Sequence, residues 1–312
     1  MRITVSTVMK NEPVEFVERW AASAVDADEM LLVDTGTTET EAIQCARDLN
    51  VRVEQIELWP WRFDSARNAA LALVDPTAHL VVKLDVDEVL GSGWRDVLED
   101  APRADRYSYR YIWNHTPDGR PDVEFSADHT HARFGWQWEH PVHESLRWLG
   151  VGNPVTIHLP MTIEHFADPT KPRAQYLPLL AKAVEERPDD DRMAHYYARE
   201  LFYRGRWNES RDEFVRHLAL PSAQWHAERA QSYRYIAKMD EFPERWLLKA
   251  VAEDPGRREA WVDLMEFYRR EGMPEMASAM AARALSITYR SGDYMSEAAA
   301  WDDEHLHMVR AG

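Results

Sequence analysis

The stretch Leu80-Val81-Val82-Lys83-Leu84-Asp85-Val86-Asp87-Glu88 decides how this chain is read: a short apolar run stops at three carboxylates. Such a run predicts a buried parallel strand, with the acids just past its carboxyl end, where open α/β sheets receive their ligands. With the backbone extended through Asp85 and Asp87, both carboxylates point the same way. They then raise one another's pKa unless a positive charge stands between them. Hard oxygens suit a divalent cation, Mg2+ or Mn2+. A solvated acidic turn is the plain alternative in so acidic a chain.

Upstream, strand and helix patterns alternate three times before this cluster. Residues 2–8 predict a strand, and Phe16, Val17, Trp20, Ala21 and Ala24 recur at helical spacing. Met30 to Val33 is a second strand ending at Asp34-Thr35-Gly36-Thr37-Thr38, whose Thr/Glu-rich continuation can cap a helix through Asp48. Val51, Val53 and Ile56 give a third strand, and Asp64 opens a helix through Leu73. The alternation predicts a parallel, Rossmann-like α/β sheet. Neither GxGxxG nor GxxxxGK[ST] occurs, so a nucleotide would be held by side chains and a metal rather than by a glycine-rich phosphate loop.

Composition narrows the function class. The chain has 312 residues, 45% hydrophobic and 29% charged, as expected of a globular protein of one large domain or two ordinary ones. With 37 basic against 54 acidic side chains the net charge is −17, which disfavours a nucleic-acid partner and a general attraction to anionic membranes. A single cysteine, Cys45, precludes an intramolecular disulfide framework and fits a reducing compartment. No signal-peptide pattern or membrane-spanning run is visible, so the expectation is a soluble, cytoplasmic protein.

From Arg106 to His165 the pattern changes to short aromatic-rich strands: Tyr107–Tyr111, Ala132–Trp136 and Met161–Ile163, with a polar loop from Asn114 to Asp122. His129, His131, His140, His143 and His158 fall here, but their spacing matches no closed zinc site, so they are read as surface or cleft histidines. Trp136, Trp138 and Trp148 read as core residues or as an acceptor-stacking wall. Beyond Pro169 the pattern is helical. Pro188, Pro221 and Pro255 recur at intervals of 33 and 34 residues, and Tyr196, Leu201, Trp207, Phe214 and Leu218 are echoed by Trp261, Leu264, Tyr268, Ala281 and Leu285. The middle copy, Arg234 to Ala250, is degenerate. The period predicts tetratricopeptide-like helical hairpins over 171–312 after an α/β domain over 1–170, with the boundary at Pro169 and Pro172. An irregular helical bundle is the alternative.

Lys10-Asn11-Glu12, Val33 to Thr38, Phe63 to Asn68 and Leu84 to Glu88 occur in the order and spacing of family 2 glycosyltransferases, which the chain resembles over nearly its whole length. Val142-His143-Glu144 and Ile163 to Phe166 are similar to two later signatures of that group. The resemblance implies a GT-A nucleotide-sugar-binding fold and inverting transfer from a nucleotide sugar, usually a UDP-sugar. By position, Asn11, Glu12, Asp34, Arg67, Lys83 and Asp85 would contact the nucleotide sugar. Asp85, Asp87 and His165 would hold Mn2+ or Mg2+, Asp87 as the principal ligand of a DXD-like element. Glu144 would be the base, with Glu88 and Asp64 as rival carboxylates. There is no Gln-x-x-Arg-Trp element, so a processive synthase is not expected.

These residue types suit the reaction independently. A cation offsets the charge that gathers on a departing nucleoside diphosphate, the anomeric carbon becomes oxocarbenium-like, and a carboxylate takes the acceptor proton. Helical repeats suit a protein or peptide acceptor, or self-association into a homo-oligomer. Two other classes compete: a catalytically decayed scaffold binding a protein through its repeats, and a metal-dependent phosphohydrolase built on the same acids.

Overall fold

The computed structural model describes residues 1–38, 40–168 and 175–311, which form two compact units, Met1–Pro172 and Arg173–Gly312. The expected boundary residues Pro169 and Pro172 lie outside the described residues.

In the first unit, β1 (Ile3–Met9) is almost wholly buried, as its alternating Ile3, Val5 and Met9 require. It is followed by α1 (Val14–Ser23), β2 (Glu29–Asp34), α2 (Glu41–Asp48), β3 (Arg52–Gln55), α3 (Phe63–Leu73) and β4 (Leu80–Lys83). These strands lie in the order β3-β2-β1-β4, all parallel, as the alternation predicts. The Thr-rich start of α2 differs in one detail: Thr40 makes no side-chain cap, and Thr35–Thr38 is instead tied to Asp34 and Asn11. Trp20 is fully buried and its indole N–H donates to Leu84 O at 3.0 Å, pinning α1 beneath the end of β4.

After β4 the sheet becomes mixed. The chain continues through β5 (Glu88–Leu90), α4 (Trp94–Asp100), β6 (Arg106–His115), β7 (Pro121–Ala132), β8 (Trp136–Glu139), β9 (Ser145–Trp148) and β10 (Thr156–His165). The eight-stranded sheet runs β3-β2-β1-β4-β7-β6-β10-β5, with β7 antiparallel to β4 and β5 antiparallel to β10. The expected polar loop shrinks to a hairpin tip, because β6 and β7 pair as far as His115 and Pro121. Ala132–Trp136 is not a strand. Gly135 has φ +89° there, and a Cβ on it would lie 2.6 Å from the Trp148 ring, so the chain bends between β7 and β8. Trp136 and Trp138 are core residues, 5% and 4% exposed, rather than a stacking wall.

The second unit contains α5 (Tyr176–Glu186), α6 (Asp191–Tyr203), α7 (Trp207–Ala219), α8 (His226–Met239), α9 (Glu244–Glu253), α10 (Arg258–Arg270), α11 (Pro274–Leu285), a 3-10 turn (Ala298–Trp301) and α12 (Asp303–Ala311). The period of 33–34 residues is realised as hairpins α6–α7, α8–α9 and α10–α11, each entered just after Pro188, Pro221 or Pro255. Gly205 and Gly272 turn the first and third hairpins with φ +71° each, a conformation glycine adopts without strain. The degenerate middle copy still forms its hairpin: Leu247, Ala250 and Val251 of α9 are buried against Leu264 and Met265 of α10. Among the described residues no helix is long and apolar enough to cross a membrane.

His131, expected as a surface or cleft histidine, is fully buried, and burial lowers its pKa to about 4. The unfolded chain binds this proton near pH 6.5, so stability is intact above that pH and is lost as pH falls toward 4, by about 1.4 kcal/mol per unit for the one site. Urea unfolding between pH 7 and 4 should therefore show a slope that flattens by about one proton in His131→Gln; an unchanged slope would remove His131 from the account.

Candidate active site

Strand order places the site. The chain adds β2 and β3 on one side of β1 and β4 on the other, so the crevice outside the carboxyl ends of β1 and β4 is a topological switch point. β4 stops at Lys83, and Glu88 N–H donates to Asp85 O at 2.9 Å, closing a turn over Asp85–Glu88. The backbone is not extended through Asp85 and Asp87, so their carboxylates part. The positive charge beside Asp85 comes from the protein. Arg67 donates to both oxygens of Asp85 at 2.9 and 3.3 Å, and Lys83 Nζ donates to Asp85 Oδ2 at 2.6 Å.

Arg67 also donates through Nε to Glu144. The segment carrying Glu144 is held over α3 by Asn68, whose amide donates to Trp138 O and accepts from Trp138 N–H at 2.8 and 2.9 Å. Phe63 N–H adds a bond to Pro141 O at 3.0 Å. The Arg67 guanidinium lies 5.4 Å from the centre of the Trp138 ring. Burial alone would lower the Arg67 pKa, but Asp85 and Glu144 outweigh it and hold it above the usual value. Burial likewise opposes ionisation of Asp85, and Arg67 with Lys83 outweighs it, so the Asp85 pKa is lowered.

Beneath this cluster Glu88 is 4% exposed and accepts from Asp85 N–H and Tyr111 O–H, each at 2.7 Å. Burial raises the Glu88 pKa and drives the Tyr111 phenol up as well. Both oxygens of Glu88 support the turn, which removes it as a rival base. Asp64 is likewise committed, to Arg62 at 2.9 and 2.8 Å.

Asp87 reaches the other wall of the crevice. Pairing of β5 with β10 sets Glu88 opposite His165, and Phe166 N–H donates to Asp87 O at 2.7 Å. His165 Nε2 then lies 3.3 Å from Asp87 Oδ2, while His165 Nδ1 is 2.9 Å from Trp113 O and its ring stacks on Trp113 at 4.5 Å. Burial would lower the His165 pKa; Asp87 outweighs it and raises it. With Nδ1 turned to a carbonyl, Nε2 is the nitrogen that faces Asp87. Asp87 and His165 are the residues here that could hold a divalent ion. Asp85 does not complete a set with them: among the described residues the one group of three His, Asp or Glu with mutually close ligand atoms is elsewhere, in the helical unit.

Asp34 is 1% exposed, with its oxygens accepting from Thr37 N–H at 2.9 Å and the Gln55 amide at 3.1 Å. Asn11, at φ +56°, accepts from Thr38 N–H at 2.9 Å. Both shape the rim loop, and Glu12 stands half-buried at the start of α1. The sequence reading missed Arg19. Its guanidinium lies 4.6 Å from the ring centres of Phe16 and Phe166, feels the charge of Asp87, and has Nε and Nη2 buried without a partner. A lone arginine three residues after Phe16 on an apolar helix face was the available signal.

No family model matches the chain, and no curated protein does. Among solved structures, the crystal structure of MamA is similar over 43% of this chain and 80% of its own, at 14% identity and a TM-score of 0.32. PilF of Pseudomonas aeruginosa is similar over 43% and 63%, at 10% identity and TM-score 0.33. A thermophilic tetratricopeptide protein of Thermus thermophilus, TTC0263, is similar over 36% and 64%, at 18% identity and TM-score 0.29. None of these is a glycosyltransferase. The resemblance to family 2 glycosyltransferases read from the motifs is therefore corrected: no comparison returns that family, and the chain is not assigned to it. The motifs have a simpler cause, since Asp34, Asp64 and Glu88 all serve turns or helix starts at the end of an α/β sheet. The class that the fold itself defines is an α/β unit followed by a helical-hairpin repeat unit.

Arg67→Met should cost on the order of 3 kcal/mol in urea unfolding, because it leaves Asp85 and Glu144 without their shared cation. Adding Asp85→Asn and Glu144→Gln should recover most of the loss. A single variant within about 0.5 kcal/mol of the parent, the range of ordinary surface changes, would contradict this role.

Proposed function

We propose that the amino-terminal unit is a sugar-transferring enzyme that takes a nucleotide sugar, a UDP-sugar in the first instance, in the crevice outside β1 and β4. The observation that carries this reading is the meeting of Asp87 with His165 Nε2 at 3.3 Å at the switch point, beside the cationic Arg67 and Lys83. Asp87 and His165 would hold Mn2+ or Mg2+, which would supply neutralising charge for a diphosphate leaving group. Asp85, whose carboxylate Arg67 and Lys83 already neutralise, would orient those cations toward the donor. Asn11 and Asp34 hold the rim loop against which the nucleotide would rest. Glu144 is the proposed base for the acceptor hydroxyl, and it has to exchange Arg67 for that hydroxyl to act. The helical unit would capture a protein or peptide acceptor, since stacked hairpins present an extended surface to a chain.

A second reading has its own observation. Arg67 satisfies Asp85 and Glu144 within the protein, as a cluster kept for structure alone would be. The amino-terminal unit would then be a catalytically inert scaffold, and partner capture by the helical repeats the whole function.

Thermal unfolding of the full chain with UDP separates the two. The first reading predicts stabilisation by UDP only when Mn2+ is present, approaching about 2.7 kcal/mol at 100 times the Kd, and its loss in Asp87→Asn. It also predicts release of UDP from a UDP-sugar by the parent chain. No response to any nucleotide with Mn2+ would leave the scaffold reading standing.

A further inference from the structure

The helical unit contains a polar cluster that the amino-terminal site does not use. His195 on α6, His217 in the last turn of α7 and Glu228 in the first turn of α8 are 0%, 0% and 2% exposed, with Ser232 and Gln231 of α8 beside them. Helical hairpins pack through apolar and small side chains, and polar groups buried among them are costly unless every proton and lone pair is matched.

The contacts of the cluster run from helix to helix. The Gln231 amide donates to the Glu297 carboxylate, which can only accept, so Gln231 turns Oε1 toward His195. His195 Nε2–H therefore donates to Gln231 Oε1 at 3.1 Å. Burial above all, with Arg199 and His217 nearby, lowers the His195 pKa, and the other ring nitrogen, Nδ1, faces Ser232. Ser232 Oγ is 2.9 Å from that nitrogen and 3.0 Å from His217 Nδ1. Ser232 Oγ carries one proton and can donate to only one of the two rings. His217 Nε2 lies 3.2 Å from Glu228 Oε1. Tyr294 O–H lies 3.3 Å from the other Glu228 oxygen. Two imidazoles and a carboxylate thus face one another in the interior of the helical unit.

We propose that His195, His217 and Glu228 bind a divalent transition-metal ion of the zinc class. One ligand atom from each of the three lies within 4.8 Å of the others. Two ligands of a tetrahedral zinc with bonds of about 2.0 Å stand about 3.3 Å apart, and His217 Nε2 and Glu228 Oε1 are 3.2 Å apart. The Gln231 carbonyl on the far nitrogen of His195 is the outer partner that fixes a ligating ring. Imidazoles with one carboxylate select zinc over the harder Mg2+ and Mn2+ proposed for the other unit. Such an ion ties α6, α7 and α8 together, joining the first hairpin to the second.

The test is the metal content of the full chain, purified without chelator or histidine tag, followed by reloading with Co2+. The expected result is about one zinc per chain, and after Co2+ exchange the visible absorption of a tetrahedral site. Glu228→Gln should lose the zinc and Asp87→Asn should retain it, which keeps this ion distinct from the one proposed between Asp87 and His165. If Glu228→Gln fails to fold, the cobalt spectrum of the parent chain decides alone. Metal-free protein with no cobalt absorption and no change in melting temperature with EDTA would overturn the proposal.

Discussion

The crevice of the amino-terminal unit depends on one cation, Arg67, buried between Asp85 and Glu144. Two carboxylates near the end of a sheet repel and resist burial, and a guanidinium with a planar fork of donors reconciles them. That contact ties three parts of the chain: the helix after β3, the turn after β4 and the irregular segment before β9. Lys83 and the Glu88–Tyr111 pair support it from beneath. The arrangement leaves Asp87 free to leave the cluster and meet His165 on the strand that closes the sheet. Without Arg67, both the turn and the segment bearing Glu144 would lose their common anchor.

Both units set a buried arginine against two carboxylates: Arg67 against Asp85 and Glu144 in the α/β unit, Arg234 against Asp263 and Glu297 in the helical unit. The helical unit also buries two imidazoles, a serine and a glutamate, linked one to the next across three helices. A chain of that kind is sensitive to a single proton or a single ion, because each donor fixes the role of the next. The hairpins on either side are held by ordinary packing, such as Phe214 against Ile236 and Leu264 within its own cluster.

Much of the fold was legible because its signals are local. The parallel strands announced themselves as β-branched runs, and the hairpins as a 33–34 residue period that survived even where the middle copy had lost its marker residues. What was not legible depends on distant partners. Nothing in Asp85-Val86-Asp87 says that the chain turns there, since the turn is fixed by Glu88 reaching back to Asp85 N–H and by Tyr111, 23 residues on. Ala132–Trp136 has strand-like composition, and only the Trp148 ring pressed against Gly135 explains the bend. In the site, the strand-end acids Asp85 and Asp87 could be named from sequence, but Arg67 and His165 only through the family resemblance, and not that Arg67 would bind both Asp85 and Glu144. Arg19 and the His195–His217–Glu228 cluster went unseen because their meaning lies in which helices pack together.

The central claim is that Asp87 and His165 form a cation-holding wall at the switch point of the sheet. An anomalous difference map from crystals of the full chain grown with UDP and Mn2+ tests it most directly. A manganese peak bonded to Asp87 and His165 Nε2, with diphosphate density beside Arg67, is the result this account predicts. Asp87 still paired to His165 with no manganese between them, and no nucleotide in the crevice, would contradict it.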